Sequence, residues 1–348
     1  MYFPARTISL REDLNLIRFM PPRLKAFIQY VVILLVTALL IWYALSRISV
    51  SEGHNRWEYI LNTWRQADKV WLGIMAVFAI TSHILRAMRW KMLMKPAGYK
   101  VSLASSFLSL MVGYLVNLVI PRGGEVSRCY NLYKLERTPV DVAFGTVVVE
   151  RAVDLICLCL LILLAFALEW DKLVGFVQTL EFALPGQRVT IVLPVAGLAL
   201  LGVLWYLAKR NQRVRNFFRK TWAGLKRGLL SIVTLENKGR FIGFSILIWV
   251  MYFLMSWAVI RAFEPTAHLG FKAVTSLFAI GSIAMAAPLP GGTGSYHVLV
   301  PQGLSLLYGL VLADAVALTF VFHGWQTLIM VVGGALSLLA TAVITRKR

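Results

Sequence analysis

The chain is short of acid, and of charge altogether. Of its 348 residues only 16 are Asp or Glu, against 36 Lys and Arg, which gives a formal charge of +20 with 15% of residues charged. Cysteine is nearly absent. Cys129, Cys157 and Cys159 fit neither a disulfide framework nor a zinc-ligand spacing, and two of them lie inside an apolar run where inert packing is expected. No low-complexity tract or long linker divides the chain, so residues 1–348 read as one domain. The sequence has no G-x-x-x-x-G-K-[ST] loop, which excludes ATP as a direct drive. No nucleophile–base pair or metal cluster stands at a recognisable spacing. The expectation is therefore a chain that is not an enzyme and carries no cofactor.

Apolar residues are what the chain has in excess: 59%, against a globular norm of roughly half. They fall in long runs: Phe27–Leu45, Val70–Leu85, Leu103–Ile120, Val142–Leu168, Val189–Ala208, Phe241–Phe263, Phe271–Ala287, Val298–Leu312 and Ala315–Ile344. A bilayer span takes about 20 mostly apolar residues. A soluble nucleic-acid binder could share the charge but could not expose such runs, so the reading is an all-α polytopic membrane protein with membrane lipids, not nucleic acid, as partners. The first run is longer than a signal-peptide core of roughly 7–15 residues, which favours an uncleaved first helix.

Lys and Arg in short loops orient the chain. The loop from Lys209 to Arg240 holds ten basic residues and one acid, Glu236. It belongs on the cytoplasmic side, as do the tail Arg346-Lys347-Arg348 and the stretch from Arg86 to Lys100. Simple counting contradicts this, because a full crossing by Leu103–Ile120 would put the ten-charge loop outside. The conflict disappears if that run enters from the cytoplasm, turns at Pro121-Arg122-Gly123-Gly124 and returns. Parity then requires a second such piece, and Phe271–Leu310, broken at Pro288–Gly294, is the candidate.

The expected architecture is thus six full spans plus two opposed re-entrant helical hairpins, about 103–138 and 271–312. They sit in halves 27–168 and 189–344 of opposite orientation, with both termini cytoplasmic. Inverted-topology repeats of this kind place a substrate site near the midplane at interrupted helices. Eight plain spans with proline kinks is the competing reading.

The strongest local signal is Glu150-Arg151-Ala152-Val153-Asp154, deep in an apolar helix. Each such charge costs about 2.5–3.5 kcal/mol on insertion scales, so the trio must face protein and find partners. Two readings stay open: a polar site for a charged headgroup or for protons, and a buried ion-pair lock to the preceding hairpin. That hairpin offers Arg122, Glu125 and Arg128 around Gly123-Gly124, with Asn117 just before the turn as a hydrogen-bond partner. Arginines bind phosphate through paired hydrogen bonds, and glycines let backbone N–H groups face a ligand. Around the second break, Pro290, Gly291, Gly292 and Gly294 cannot continue a helix, and Tyr296 and His297 stand beside them. A lone histidine is more often structural than functional, and the same holds for His83 and His323.

From Arg213 to Val233 the apolar residues share one helical arc and the cations the other. This suggests an in-plane helix over 213–233 on the cytoplasmic leaflet. Gly333, Ser337 and Thr341, four apart, form a small-residue packing face.

Pro121-Arg122-Gly123-Gly124-Glu125 with Arg128, then Glu150-Arg151 with Asp154, then Pro288–Gly294, occur in the order found in one family. The chain resembles the flippase-like transmembrane family named for lysylphosphatidylglycerol synthases, from its first span to its last. In the namesake enzymes this membrane module moves aminoacylated phosphatidylglycerol between leaflets, and a separate soluble domain makes it. Arg348 follows directly on the last span, so a stand-alone module without the synthase domain is expected. Where many members carry an acidic residue after the second glycine break, this chain has Ser295, Tyr296 and His297.

The resemblance implies a lipid translocator of the cytoplasmic membrane. Its cargo would be an anionic or modified phospholipid, or a polyprenyl-phosphate-linked lipid. The alternative is a non-transporting, lipid-binding partner of a lipid- or glycan-modifying enzyme. A homo-oligomer is compatible with either.

Overall fold

A computed structural model describes residues 22–48, 55–179 and 235–346. The apolar run at 189–208 and the amphipathic stretch at 213–233 lie outside the described residues. Everything regular within them is helical. In chain order the helices are α1 (Pro22–Ser46), α2 (Arg56–Gln66), α3 (Lys69–Met94), α4 (Leu103–Asn117), α5 (Gly123–Glu136), α6 (Val140–Leu168) and α7 (Trp170–Thr179). After the undescribed stretch come α8 (Lys238–Ala262), α9 (Phe271–Ala286), α10 (Ser295–Tyr308) and α11 (Leu312–Arg346).

Five helices among the described residues are long and apolar enough to cross a membrane: α1, α3, α6, α8 and α11. Leu103–Asn117 and Phe271–Ala286 are apolar but shorter. At about 1.5 Å per residue, neither reaches across a core about 30 Å thick. Each instead breaks and is followed by a second short helix packed back against it, α5 on α4 and α10 on α9. The chain is thus a multi-pass membrane protein, all-helical among the described residues.

The first break is forced by backbone. Arg122 adopts a left-handed conformation (φ 59°), which ends one helical direction and starts the next. The two arms then approach so closely that Gly124 has no room for a side chain: a Cβ there would lie 2.2 Å from the Gly113 carbonyl oxygen. Asn117 closes the turn, its Oδ1 accepting the Gly124 N–H at 2.7 Å.

The two ends of the bundle are distinguishable. At one end Tyr59 donates to Asp314, the Asp68 N–H donates to the Ala262 carbonyl at 2.8 Å, and Lys172 pairs with Glu169 at 3.1 Å. At the other lie the Lys95–Glu236 pair and the ends of α5 and α11, rich in Lys and Arg. The main apolar core joins α3, α8, α9, α10 and α11. A second one, with Trp90, Cys129, Leu132 and Val147, packs α3, α5 and α6 together. Opposite these contacts α6 exposes Leu155, Ile156, Leu160 and Leu163, a face suited to acyl chains.

One sequence expectation changes here. The stretch from Arg86 to Lys100 reads as a basic loop, yet α3 runs on to Met94 and buries both Arg86 and Arg89. The reason is periodicity. Arg86 and Arg89 are three apart and share the helix face that carries His83, Trp90 and Leu93 into the protein.

Candidate functional site

The mid-helix acids of α6 meet cations from three directions. Glu150 and Asp154, four apart, project from one face of α6 toward α3 and α5. Arg128 of α5 binds Glu150 at 2.7 Å, with both side chains almost wholly buried. Arg89 of α3 binds Asp154 at 2.7 Å and stands 3.7 Å from Glu150. Arg86 adds a second contact to Asp154 at 3.2 Å and a hydrogen bond to the Tyr252 hydroxyl at 2.9 Å. The outermost pair is Arg151 with Glu125, at 2.9 Å. Arg128 also stacks over Trp90, 4.8 Å from its ring centroid, and Trp90 is held by Thr146 at 2.9 Å.

Seven charged side chains are therefore linked in one network: Arg86, Arg89, Arg128 and Arg151 against Glu125, Glu150 and Asp154. Among the described residues four cations face three anions, leaving an excess of one positive charge. The network is not fully satisfied. Arg128 Nε and Nη1, Arg86 Nε, Glu125 Oε2 and Glu150 Oε1 are buried without a hydrogen-bond partner among the described residues. Arg89 Nε shares this state, since its 3.7 Å to Glu150 is electrostatic contact and too long for a hydrogen bond. Burying polar atoms unpaired is costly, about 1–3 kcal/mol each, and such atoms mark strain or a binding role.

The network is also not sealed. Arg151 is 45% exposed and Glu125 20% exposed, with Asp154 behind them at 14%. An arginine half-exposed some 16 Å along an apolar helix requires water, a lipid phosphate or another polar group beside it.

Of the residues expected at the first break, Glu125 and Arg128 join the network, while Gly123 and Gly124 make the helix–helix approach that puts them there. Arg122 does not join. It is exposed and forms no ion pair among the described residues, its backbone making the turn instead. Arg86 and Arg89 escape a sequence reading because they follow an apolar run and so resemble flanking loop charges. Their three-residue spacing was the available signal.

The second break is a separate polar centre. Pro290–Gly292 forms a single 3-10 turn, with Gly291, Gly292 and Gly294 all in positive-φ conformations. The Gly294 N–H faces His297 Nδ1 at 3.3 Å, and His323 of α11 lies 3.0 Å from the Gly291 carbonyl through Nε2. Tyr296 stacks on His323 at 5.3 Å between centroids, and the His297 and His323 rings meet edge-on at 4.8 Å. His323 thus belongs to this centre as much as His297 does. The tips of the two hairpins touch, since a Cβ on Gly291 would meet Leu118 of the first break at 2.8 Å. Among the described residues no hydrogen bond or ion pair joins the two centres. No group of three or more His, Cys, Asp or Glu suited to a metal ion occurs among them either.

Sequence comparison places this arrangement in context. The family model described as "Lysylphosphatidylglycerol synthase TM region" matches residues 29–334. A UPF0104 membrane protein of Methanothermobacter thermautotrophicus is 26% identical over 257 residues, covering 66% of this chain and 74% of that protein. The glycosyltransferase AglD of Haloferax volcanii is 24% identical over 325 residues, 82% of this chain and 51% of AglD. A UPF0104 membrane protein of Methanocaldococcus jannaschii is 38% identical over 81 residues, 22% of this chain and 24% of that one. The chain therefore spans about half or less of the length of two of these relatives. No solved structure matches it.

Proposed function

The chain belongs to the lysylphosphatidylglycerol synthase transmembrane-region family, and on that premise we propose that it translocates a lipid between leaflets of the cytoplasmic membrane. The cargo is an anionic or modified phospholipid, or a polyprenyl-phosphate-linked lipid. One observation carries the reading: an incompletely bonded, largely buried charge network with one excess cation, deep in an apolar bundle and open at its half-exposed Arg151. A lipid phosphate supplies the missing negative charge and accepts from the half-exposed Arg151 guanidinium, while its chains stay against apolar faces such as that of α6. Glu125 and Arg151, outermost, form the part a headgroup meets first. The chain acts by binding and displacement, not catalysis.

The architecture proposed with this function has six spans, with α4/α5 and α9/α10 as re-entrant hairpins of two inverted repeats. It is supported by the two short broken helix pairs and their touching tips. The clustering of Lys and Arg at one end supports cytoplasmic termini. Accessibility of a cysteine at Arg122 tests it. Arg122 is exposed, whereas Gly124 would not accept a side chain. Labelling should come from the cytoplasmic side, and labelling from outside alone would remove the re-entrant arrangement.

Leaflet exchange of headgroup-labelled lipids by the purified protein in liposomes tests the function. Equal exchange by the wild type and by the Glu150→Gln, Arg151→Gln double variant would defeat the site assignment.

A second reading is favoured by the relative whose name denotes a glycosyltransferase and of which this chain covers half. In it the same network binds a lipid for a separate lipid- or glycan-modifying enzyme without moving it. Lipid binding without exchange would select this reading.

A further inference from the structure

A cleft of about 260 Å³ opens at the basic end of the bundle, between the last turns of α5 and α11. Lys134 and Arg346 line its walls, and Asn131, Thr341 and Thr345 its polar floor. The floor donors are already engaged. Asn131 Nδ2 lies 3.2 Å from both Ser109 Oγ and Thr341 Oγ1, Thr341 donates to the Ser337 carbonyl, and Thr345 donates to that of Thr341. The floor therefore fixes shape, and the two cations fix the charge of whatever enters.

Neither cation has an acidic partner among the described residues. Lys134 stands 4.9 Å from the Tyr130 ring centroid, and no carboxylate among the described residues lines the cleft. Two uncompensated positive charges around one small cavity match a ligand carrying about two negative charges. A phosphate monoester has roughly −1.5 to −2 near neutral pH, while a diester has one.

The cleft also has a direction. Leu338 and Ala342 form its outer wall, continuous with the exposed apolar face of Leu339 and Val343 on α11. A ligand with hydrocarbon chains could seat its phosphate in the cleft and leave its tails in the bilayer. Inward, Lys134, Asn131 and Arg128 follow one another at three-residue intervals on α5, about 4.5 Å apart along its axis. The innermost of them holds Glu150.

We propose that this cleft binds the phosphomonoester head of a membrane lipid in the leaflet at the basic end, and that it loads the charge network. The loading role rests on the translocation reading; the binding site does not.

The test uses the full chain in nanodiscs of phosphatidylcholine doped with phosphatidic acid, with retained lipid counted by native mass spectrometry. The wild type should retain phosphatidic acid in preference to phosphatidylglycerol, a monoanionic diester. Lys134→Gln and Arg346→Gln should each weaken retention about tenfold, the loss of one charged hydrogen bond. Lys134→Arg and Arg346→Lys should preserve it. Both side chains lie on the cleft wall, so thermal stability serves as the folding control.

Equal retention by the glutamine variants, or phosphatidylglycerol held as tightly as phosphatidic acid, would overturn the proposal. Displacement of the lipid by soluble glycerol 3-phosphate would overturn the lipid as ligand. Lys134-dependent retention in a chain that shows no leaflet exchange would leave the cleft standing and remove translocation. Exchange without such retention would remove the cleft alone.

Discussion

Replacing Glu150 by Gln tests the charge network most directly. Glu150 is fully buried, holds Arg128 at 2.7 Å and lies 3.7 Å from Arg89. The substitution removes one of three anions and raises the excess from one positive charge to two. Removing one partner of a buried ion pair costs about 3–5 kcal/mol, because the other charge stays buried and uncompensated. Thermal or denaturant unfolding in detergent should show a loss of that size.

The double variant Arg128→Met, Glu150→Leu removes both partners and replaces them with apolar volume, which is often neutral or stabilising. It should recover most of the lost stability. The two variants together separate lock from site. A purely structural lock predicts that the recovered double variant still exchanges lipid. A headgroup site predicts a stable protein without exchange. A Glu150→Gln variant within about 1 kcal/mol of the wild type would refute the reasoning, since an effect that small belongs to solvated surface pairs.

Other expectations follow from particular contacts. Gly124→Ala should destabilise by about 1–3 kcal/mol or more, because the new Cβ meets the Gly113 backbone carbonyl, which cannot swing aside, as well as the Asn117 side chain that closes the turn; unfolding measurements check it. His323→Phe keeps the ring but leaves the Gly291 carbonyl without its partner, and should cost about 1–3 kcal/mol in the same assay. Burial alone would raise the carboxyl of Glu169, but hydrogen bonds from Tyr308, Ser276 and Lys172, with the Lys172 charge, hold it below its ordinary value. Its contribution to stability is therefore present above the ordinary carboxylate range and lost as pH falls through the lowered value. The gap in melting temperature between wild type and Glu169→Gln should close at acid pH, and a gap independent of pH would contradict that account.

Residues 103–138 illustrate how far a sequence carries and where it stops. The apolar run, the interruption at Pro121–Gly124 and the mid-helix acids are all local features. The structure has a helix, a break and a second helix there, with Asn117 bonded across the turn as expected. Glu150 and Asp154 had to find partners, because an unpaired charge at that depth is too costly. Which partners was not legible. Arg122, the nearest arginine to the glycine pair, turns its backbone and stays outside, while Arg86 and Arg89, more than sixty residues from Asp154, complete the network. His323 joins the second break in the same way, from 32 residues beyond Gly291.

Composition and periodicity, then, determined by themselves that this is an all-helical chain for a membrane, where its helices break, and which charges cannot be left alone. Those follow from the free energy of placing each residue type in an apolar medium, a property of short segments. Tertiary structure alone decided which arginine answers which carboxylate, that the count ends one positive charge in excess, and that Lys134 and Arg346 face one cleft. Such facts depend on which helix faces pack together, and no segment carries that information within itself.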